Sequence, residues 1–481
     1  MRSRRLWEWV VVGLLGGALL AAGFVGVVFQ GQAFAALGLT RDGAPTSLPA
    51  GQLEPPRESE PPEDDDPEPP PSATGLVAGA VAAEGPKPDP GTLDRKLRAL
   101  DRKKLKGLDD GPVTVAYEVV DPATGKVVAS SKADKPLIPA SNTKTLTAIA
   151  VLSAFDGSET FPTRVLQPEP GRIVLVGGGD PLLRSVPDKA RPYPRPATTD
   201  ELAAATAKAL LAAGQKKVTL GFDASHFAEP GWNETWPSNY RDQVTQLSAL
   251  WVDEGRLAGG GRSRTPAVDA AKTFAAQLKE HGVTVAGEPK KAKAKGDEVA
   301  RVESLPVHVL METAMNRSNN SFTEIMGLQL AAHTGHPSTF AGAVDAIEEQ
   351  LKPLDLWDKG TVLHDSSGLS RLNRVTTHML ARAVALVEDD QRLSVILDGL
   401  PTAGVTGTLA DRFDDETARP ARGVARAKTG TLSLVSTLVG TTATADGRLL
   451  SFAFMINGTP DGWAAKVWTD QATGVVASCG C

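Results

Sequence analysis

A serine and a lysine three residues apart form the first pattern in this chain that could perform chemistry. Ser141 and Lys144 open an apolar run over residues 145–152, and in a helix this spacing places both side chains on one face. A serine hydroxyl is a weak nucleophile until a base removes its proton, and a lysine of depressed pKa can be that base. A helix N-terminus also favours a developing anion. About one such pair is expected by chance in a chain this long, so the interpretation needs partners.

Two further short motifs supply candidate partners. They are Ser318-x-Asn320 and Lys428-Thr429-Gly430, and each of the three patterns occurs once in the chain. Alone, the run Ser318-Asn319-Asn320 is typical of a helix cap. Beside the other two motifs, we interpret it as part of an active site.

The three motifs, in this order, resemble the signature S-x-x-K, S-D-N and K-T-G of the penicillin-recognising active-site serine enzymes. Asn319 departs from that signature, since Asp is common at its position. Longer stretches resemble the low-molecular-mass class C penicillin-binding proteins, which are D-alanyl-D-alanine carboxypeptidases/endopeptidases. These stretches are Ser248-Ala249-Leu250-Trp251-Val252-Asp253-Glu254, Asp365-Ser366-Ser367-Gly368-Leu369-Ser370-Arg371-Leu372-Asn373 and Gly404-x-x-Gly407-Thr408-Leu409. The resemblance covers about residues 93–468.

The resemblance implies a catalytic role for three residues. Ser141 would attack the carbonyl between two D-alanines of a peptidoglycan stem peptide, giving an acyl-enzyme and free D-alanine. Lys144 would be the base, with a pKa lowered by partial burial and by the positive charge of Lys428. Ser318 would relay a proton to the leaving amine, since a hydroxyl can donate and accept. β-Lactams would acylate Ser141 as covalent inhibitors.

Substrate binding is implied for the remaining motif residues. Asn320 would offer its amide to the substrate backbone and to Lys144. Lys428 would supply a fixed positive charge for the terminal carboxylate, helped by the hydroxyls of Thr429 and Thr431. Gly430, lacking Cβ, would let the substrate lie close to the strand edge. The N–H groups of Ser141 and Thr431 would form the oxyanion hole. We expect no metal and no cofactor, and we interpret residues 365–370 as a tight turn near the site.

Three alternative functions fit the sequence less well. A Ser-His-Asp hydrolase fits poorly, because none of the seven histidines lies in a G-x-S-x-G or comparable context. A serine β-lactamase would use the same acylation chemistry, but no motif identifies a base that activates deacylating water. A non-catalytic cell-wall-binding module would not need the intact Ser, Lys and Ser set.

The elements that position these motifs indicate an α+β fold. Strands at residues 113–120 and 126–131 precede the Ser141 helix, and a hairpin of strands at 436–445 and 448–457 ends the chain. We expect one antiparallel sheet built from both termini and flanked by helices. This predicts a β-lactamase/transpeptidase-like domain with a helical subdomain, formed by residues 93–165 and 301–481. The first helix is expected over residues 93–108, and residues 290–295 are expected as a solvated loop.

One smaller α/β domain is predicted between the two halves, over residues 166–300. The resemblance implies that members of the family usually nest a third domain inside this one. Here the Gly-rich segment 255–264 stands where that domain would be, so we expect the third domain to be reduced to a loop.

The N-terminus predicts export. Arg2, Arg4 and Arg5 precede an apolar run over residues 9–29, which is long enough to span a bilayer. We interpret residues 1–39 as a membrane anchor, the alternative being a signal peptide cleaved near Ala33-Phe34-Ala35. The positive-inside rule then places the rest of the chain outside the cytoplasm, anchored or secreted to the cell wall. Residues 40–92, rich in Pro, Glu and Asp, are predicted to be a disordered linker.

Overall charge and cysteine content exclude other classes. A net charge of −6 and a pI near 5.8 argue against nucleic acid as the main partner. Only two cysteines, Cys479 and Cys481, are present, so a secreted disulfide framework and a Cys-rich zinc site are both excluded. We expect the pair to be free and exposed, with a structural bridge as the alternative.

Overall fold

The structure is a computed structural model that describes residues 85–188 and 194–480. The predicted anchor over residues 1–39 and residues 40–84 of the predicted linker lie outside the described residues. Residues 90–92, also predicted to be linker, are the start of a helix. Within the described ranges, no helix combines the length and the apolar character needed to cross a membrane.

The central sheet is antiparallel and takes its strands from both ends of the chain. Its order is β2-β1-β11-β10-β9, and Thr114 pairs with Asn457 where β1 meets β11. The predicted assembly of one sheet from both termini is therefore confirmed. The strands are β1 (Thr114–Asp121), β2 (Lys126–Ser131), β9 (Arg426–Leu432), β10 (Val435–Ala443) and β11 (Leu449–Asn457).

Helices cover both faces of this sheet. Side chains of a strand alternate between faces, and in β1 Tyr117 packs into one hydrophobic cluster while Ala116 packs into another. The cluster around Tyr117 includes residues of α1 (Pro90–Ala99) and α10 (Gly462–Ala477). The cluster around Ala116 includes a helical layer. Its helices are α2 (Thr143–Ala154), α5 (Val307–Arg317), α6 (Asn320–His333), α7 (Phe340–Leu351), α8 (Thr377–Asp389) and the short α9 (Val395–Asp398).

Helix α2 is the most enclosed element of that layer. All of its residues from Thr143 to Leu152 are buried, as expected for a helix that is apolar nearly all round. Because α2 is surrounded by packed neighbours, the turn at its N-terminus, which carries Ser141, has a firm support.

A second, mixed sheet is formed by residues that lie in sequence between the two parts of the chain that build the central sheet. Its order is β6-β5-β4-β3-β8, with β7 also paired to β5. It has its own hydrophobic cluster, shared with helices α3 (Thr199–Ala212) and α4 (Pro266–Glu280). The strands are β3 (Pro162–Glu169), β4 (Arg172–Val176), β5 (Lys217–Asp223), β6 (Thr284–Val285), β7 (Lys290–Lys291) and β8 (Asp297–Glu303). The domain boundaries at residues 166 and 300 stay a prediction.

Three local predictions were wrong. The first helix begins at Pro90 and ends at Ala99, because the Asp89 carboxylate caps it by accepting from the N–H of Thr92 at 2.8 Å. The predicted loop at residues 290–295 begins with strand β7. Cys479 is buried and disulfide-bonded, so it is neither free nor exposed; Cys481 lies outside the described residues.

Candidate active site

Ser141 lies in a tight turn that is fastened to the central sheet. A short 3₁₀ turn, Ala140–Asn142, leads into α2 and places Ser141 at its N-terminal end. The Asn142 amide donates to Thr437 Oγ1 at 2.6 Å, and Thr437 Oγ1 donates to the carbonyl of Pro139 at 2.9 Å. Strand β10 therefore holds the turn from both sides of Ser141.

Gly430 allows β9 to run directly beside this turn. A Cβ at residue 430 would lie 2.2 Å from Thr437 Oγ1, 2.8 Å from the Pro139 carbonyl and 3.1 Å from the Ser141 nitrogen. We expected glycine here to admit the substrate. The structure gives a different reason for glycine at this position, because any side chain here would collide with the protein itself.

Lys144 is fully buried and has three polar partners. Its Nζ lies 3.1 Å from Ser141 Oγ, 2.8 Å from Asn320 Oδ1 and 2.6 Å from the carbonyl oxygen of Ser367. The last two atoms can only accept hydrogen bonds. A neutral Lys144 therefore uses both of its hydrogens on them and turns its lone pair towards the hydroxyl of Ser141.

Burial favours that neutral form. It lowers the pKa of Lys144 to about 8, although the charges of Glu324 and Asp365 act to raise it. The geometry and the pKa together make Lys144 a suitable general base for Ser141.

Two groups behind Lys144 were missed by the sequence analysis. The Ser366-Ser367 segment of the predicted turn contacts the site directly, through the Ser367 carbonyl. Glu324 holds this segment by accepting from the N–H of Ser367 at 2.7 Å and of Ser366 at 3.2 Å. Burial and the charge of Asp365 raise the pKa of Glu324 to about 8. A signal was available, because Glu324 follows Asn320 by one helical turn on the same face of α6.

Ser318 and Lys428 meet across the site. Ser318 ends α5 in a left-handed conformation with a φ of 49°, and Lys428 Nζ donates to its Oγ at 2.6 Å and to the Thr429 carbonyl at 2.9 Å. Burial lowers the pKa of Lys428 well below its usual value, and the charge of Lys144 lowers it further. We expected partial burial and the charge of Lys428 to lower the pKa of Lys144 together; burial is the cause there, and Lys428 does not contribute. A contact of Lys428 with a substrate carboxylate stays a prediction.

The departure at Asn319 has a structural reason. Its side-chain oxygen accepts from the N–H of Phe322 at 3.2 Å and caps α6. Its Nδ2 group donates to the buried carboxylate of Glu254. An aspartate could provide the cap but would repel Glu254, so asparagine suits both contacts.

The predicted residues surround one cavity of about 550 Å³. Lys144 and Lys428 lie behind its wall, and Gly430 continues the β9 edge between Thr429 and Thr431. Thr429 Oγ1 is hydrogen-bonded to Thr408 Oγ1 at 2.9 Å. The oxyanion role of Ser141 and Thr431 stays a prediction. The cavity is lined by the predicted residues Ser141, Ser318, Asn320, Thr429 and Thr431.

Comparison with known proteins finds carboxypeptidases among the relatives of this chain. The carboxypeptidase Rv3627c of Mycobacterium tuberculosis is 33% identical over 422 residues, which are 83% of this chain and 84% of that protein. The carboxypeptidase DacB of Mycolicibacterium smegmatis is 31% identical over 433 residues, 85% of this chain and 93% of that protein.

A solved structure shares the fold. Penicillin binding protein 4 (dacB) from Haemophilus influenzae matches with a TM-score of 0.65 at 18% identity, over 80% of this chain and 98% of that one. The predicted α+β fold class is thereby confirmed. The model of the D-Ala-D-Ala carboxypeptidase 3 (S13) family matches residues 106–260 and 259–478. Since these matches span most of the chain and include all three motifs, the protein belongs to this family of serine D-Ala-D-Ala carboxypeptidases.

Proposed function

We propose that Ser141 hydrolyses the bond between two D-alanines at the end of a peptidoglycan stem peptide, through an acyl-enzyme. The observation that carries this proposal is the 3.1 Å contact between Lys144 Nζ and Ser141 Oγ, with the other hydrogens of Lys144 held by two acceptors. The same acylation would make β-lactams covalent inhibitors.

Acylation begins when Lys144 accepts the proton of Ser141 as its Oγ attacks the carbonyl carbon of the penultimate D-alanine. The developing oxyanion would be stabilised by the N–H groups of Ser141 and Thr431. When the C–N bond breaks, the leaving amine must gain a proton. Ser318 would relay to it the proton that Lys144 took from Ser141, because a hydroxyl can donate and accept and Lys428 Nζ holds this one in place. Water then hydrolyses the ester on Ser141 and releases the shortened peptide.

The terminal carboxylate would be held at the Thr429 end of β9. Thr429 and Thr431 line the cavity, and Lys428 lies behind its wall. Hydroxyl donors in a partly enclosed site suit a carboxylate, and hydrogen bonds to charged groups contribute about 1.5–3 kcal/mol each.

The function is tested by incubating the purified protein with an N-acylated peptide that ends in D-Ala-D-Ala. We expect release of one D-alanine per peptide and loss of that release after pre-incubation with penicillin. A matched peptide that ends in D-Ala-L-Ala should not be cleaved. Penicillin-insensitive release, or no release, would contradict the proposal.

We also propose that the protein works outside the cytoplasm, attached through residues 1–39. This proposal is supported by the Arg-flanked apolar run and the acidic, proline-rich segment that follows it. In cell fractionation, the full-length chain should sediment with membranes and be digested by protease added from outside. A wholly cytosolic and protease-protected pool would contradict this localisation.

A further inference from the structure

A second cavity, of about 460 Å³, adjoins the active-site cavity. We call it the arginine pocket, because Arg256, Arg262 and Arg317 line it. The two cavities share wall residues: Gln243, Ser318, Asn320 and Thr408 line both.

The segment 255–264 builds this pocket. It forms a closed turn in which the backbones of Arg256 and Arg262 pair as an isolated β-bridge. The Ser263 N–H also donates to the Gly255 carbonyl at 2.8 Å. This is the segment that we interpreted as the remnant of a nested domain. Two of its three arginines, Arg256 and Arg262, line the pocket beside the active site.

The guanidinium groups outnumber the carboxylates around them. Arg317 and Asn319 both hold the buried Glu254 carboxylate, and Arg256 Nε lies 3.9 Å from it. Arg262 instead donates to neutral acceptors, the Asp242 carbonyl at 3.0 Å and Thr245 Oγ1 at 2.9 Å. Even with the Asp242 carboxylate counted beside Glu254, three positive charges face two negative ones. The Arg256 side chain is 59% exposed, so a ligand can reach it.

The position of the pocket along the cleft indicates which part of a substrate it meets. The active-site cavity follows β9 from Thr429 to residues beyond Thr431, whereas the arginine pocket touches Thr408, the partner of Thr429, and none of residues 431–433. It therefore adjoins the end where the terminal carboxylate is proposed to bind. A substrate group that reaches beyond that carboxylate belongs to the C-terminal amino acid, which is the leaving group.

We propose that the arginine pocket binds a second carboxylate, carried by the leaving group, so that an acidic residue is a better leaving group than its neutral isostere. The inference rests on the proposed function, and the bond that breaks is the same D-Ala amide. A guanidinium can bind a carboxylate through two parallel hydrogen bonds, which a neutral amide side chain cannot match.

The test compares kcat/KM for N-acylated peptides that end in D-Ala-D-Ala, D-Ala-D-Glu and D-Ala-D-Gln. We expect D-Glu to be released about three- to tenfold faster than D-Gln, because a partly exposed ion pair has a modest effect. This ratio should shrink as NaCl is raised from about 50 to 500 mM, since salt screens exposed charges.

Arg256→Gln should bring the D-Glu/D-Gln ratio close to one, and Arg256→Lys should keep part of it. Arg172→Gln, which removes a similarly exposed arginine from β4 outside both cavities, should leave the ratio unchanged. A wild-type D-Glu/D-Gln ratio near one, or a ratio that is unchanged in Arg256→Gln, would overturn this inference. Release of D-alanine in the same experiment would still support the proposed function. No cleavage of any peptide would overturn both.

Discussion

Ser141→Ala should abolish the release of D-alanine from a D-Ala-D-Ala peptide. Among the described residues, Lys144 Nζ contacts one hydroxyl, that of Ser141 at 3.1 Å, and its other two partners are carbonyl oxygens. No other nucleophile is therefore placed to replace Ser141. Removing the nucleophile of a serine hydrolase lowers kcat by about 10⁶-fold. The loss would be read as the rate of D-alanine release at saturating peptide.

Ser394→Ala is the matched control for this variant. Ser394 is half-buried, lies outside the active-site cavity, and its side chain bonds only locally, to the Gln391 carbonyl at 2.8 Å. It should keep the wild-type rate. Both variants should melt within a few degrees of the wild type, which shows that the fold persists. Substantial release of D-alanine by Ser141→Ala would mean that another group performs the attack.

Lys144→Ala should lower the rate of acylation by about 10²–10⁴-fold, the usual contribution of a general base. The wild-type rate should also depend on pH. Since the pKa of Lys144 is about 8, the reactive neutral form is scarce below pH 8. The rate should therefore fall about tenfold per pH unit as the pH drops from 7 to 6 and level off above 8. Stopped-flow acylation by a chromogenic β-lactam measures both effects.

Two comparisons separate this role from a structural one. Lys144→Arg should be as slow as Lys144→Ala, because a guanidinium does not lose its proton in this pH range. Lys352→Ala, at the surface end of α7 where it pairs with Glu348, should keep the wild-type profile. A wild-type rate that is flat from pH 6 to 8, or a steep profile that remains in Lys144→Ala, would assign the base to another group.

The motifs were predictable from the sequence because their spacing is local. Ser141 and Lys144 share one helix, and the hairpin turn between β10 and β11 determines how those strands pair. The burial of α2 also follows from its apolar composition. These features depend on neighbours in sequence, which periodicity and turn chemistry can indicate.

The contacts that tune the site were not predictable in the same way. Glu324 and the Ser367 carbonyl reach Lys144 only after α6 and a distant turn have packed against α2. The burial of Lys428 depends likewise on its meeting Ser318 across the site. Such contacts join residues that are far apart in sequence, and their effects on pKa require the folded interior.

Strands β3 and β8 were missed for a related reason. They pair with each other, and β8 is largely exposed or half-buried, with charged residues throughout. Such a strand lacks the clear apolar alternation by which strands are recognised. Its partner, rather than its own composition, determines its conformation.

The central claim, an acyl-enzyme on Ser141, is tested most directly by intact-mass analysis of the wild-type protein after incubation with penicillin, followed by peptide mapping. We predict one added penicillin per chain, located on the peptide that contains Ser141, and lasting many minutes because no deacylating base is identified. No adduct, or an adduct on another residue, would contradict the account. An adduct that turns over within seconds would favour a β-lactamase instead.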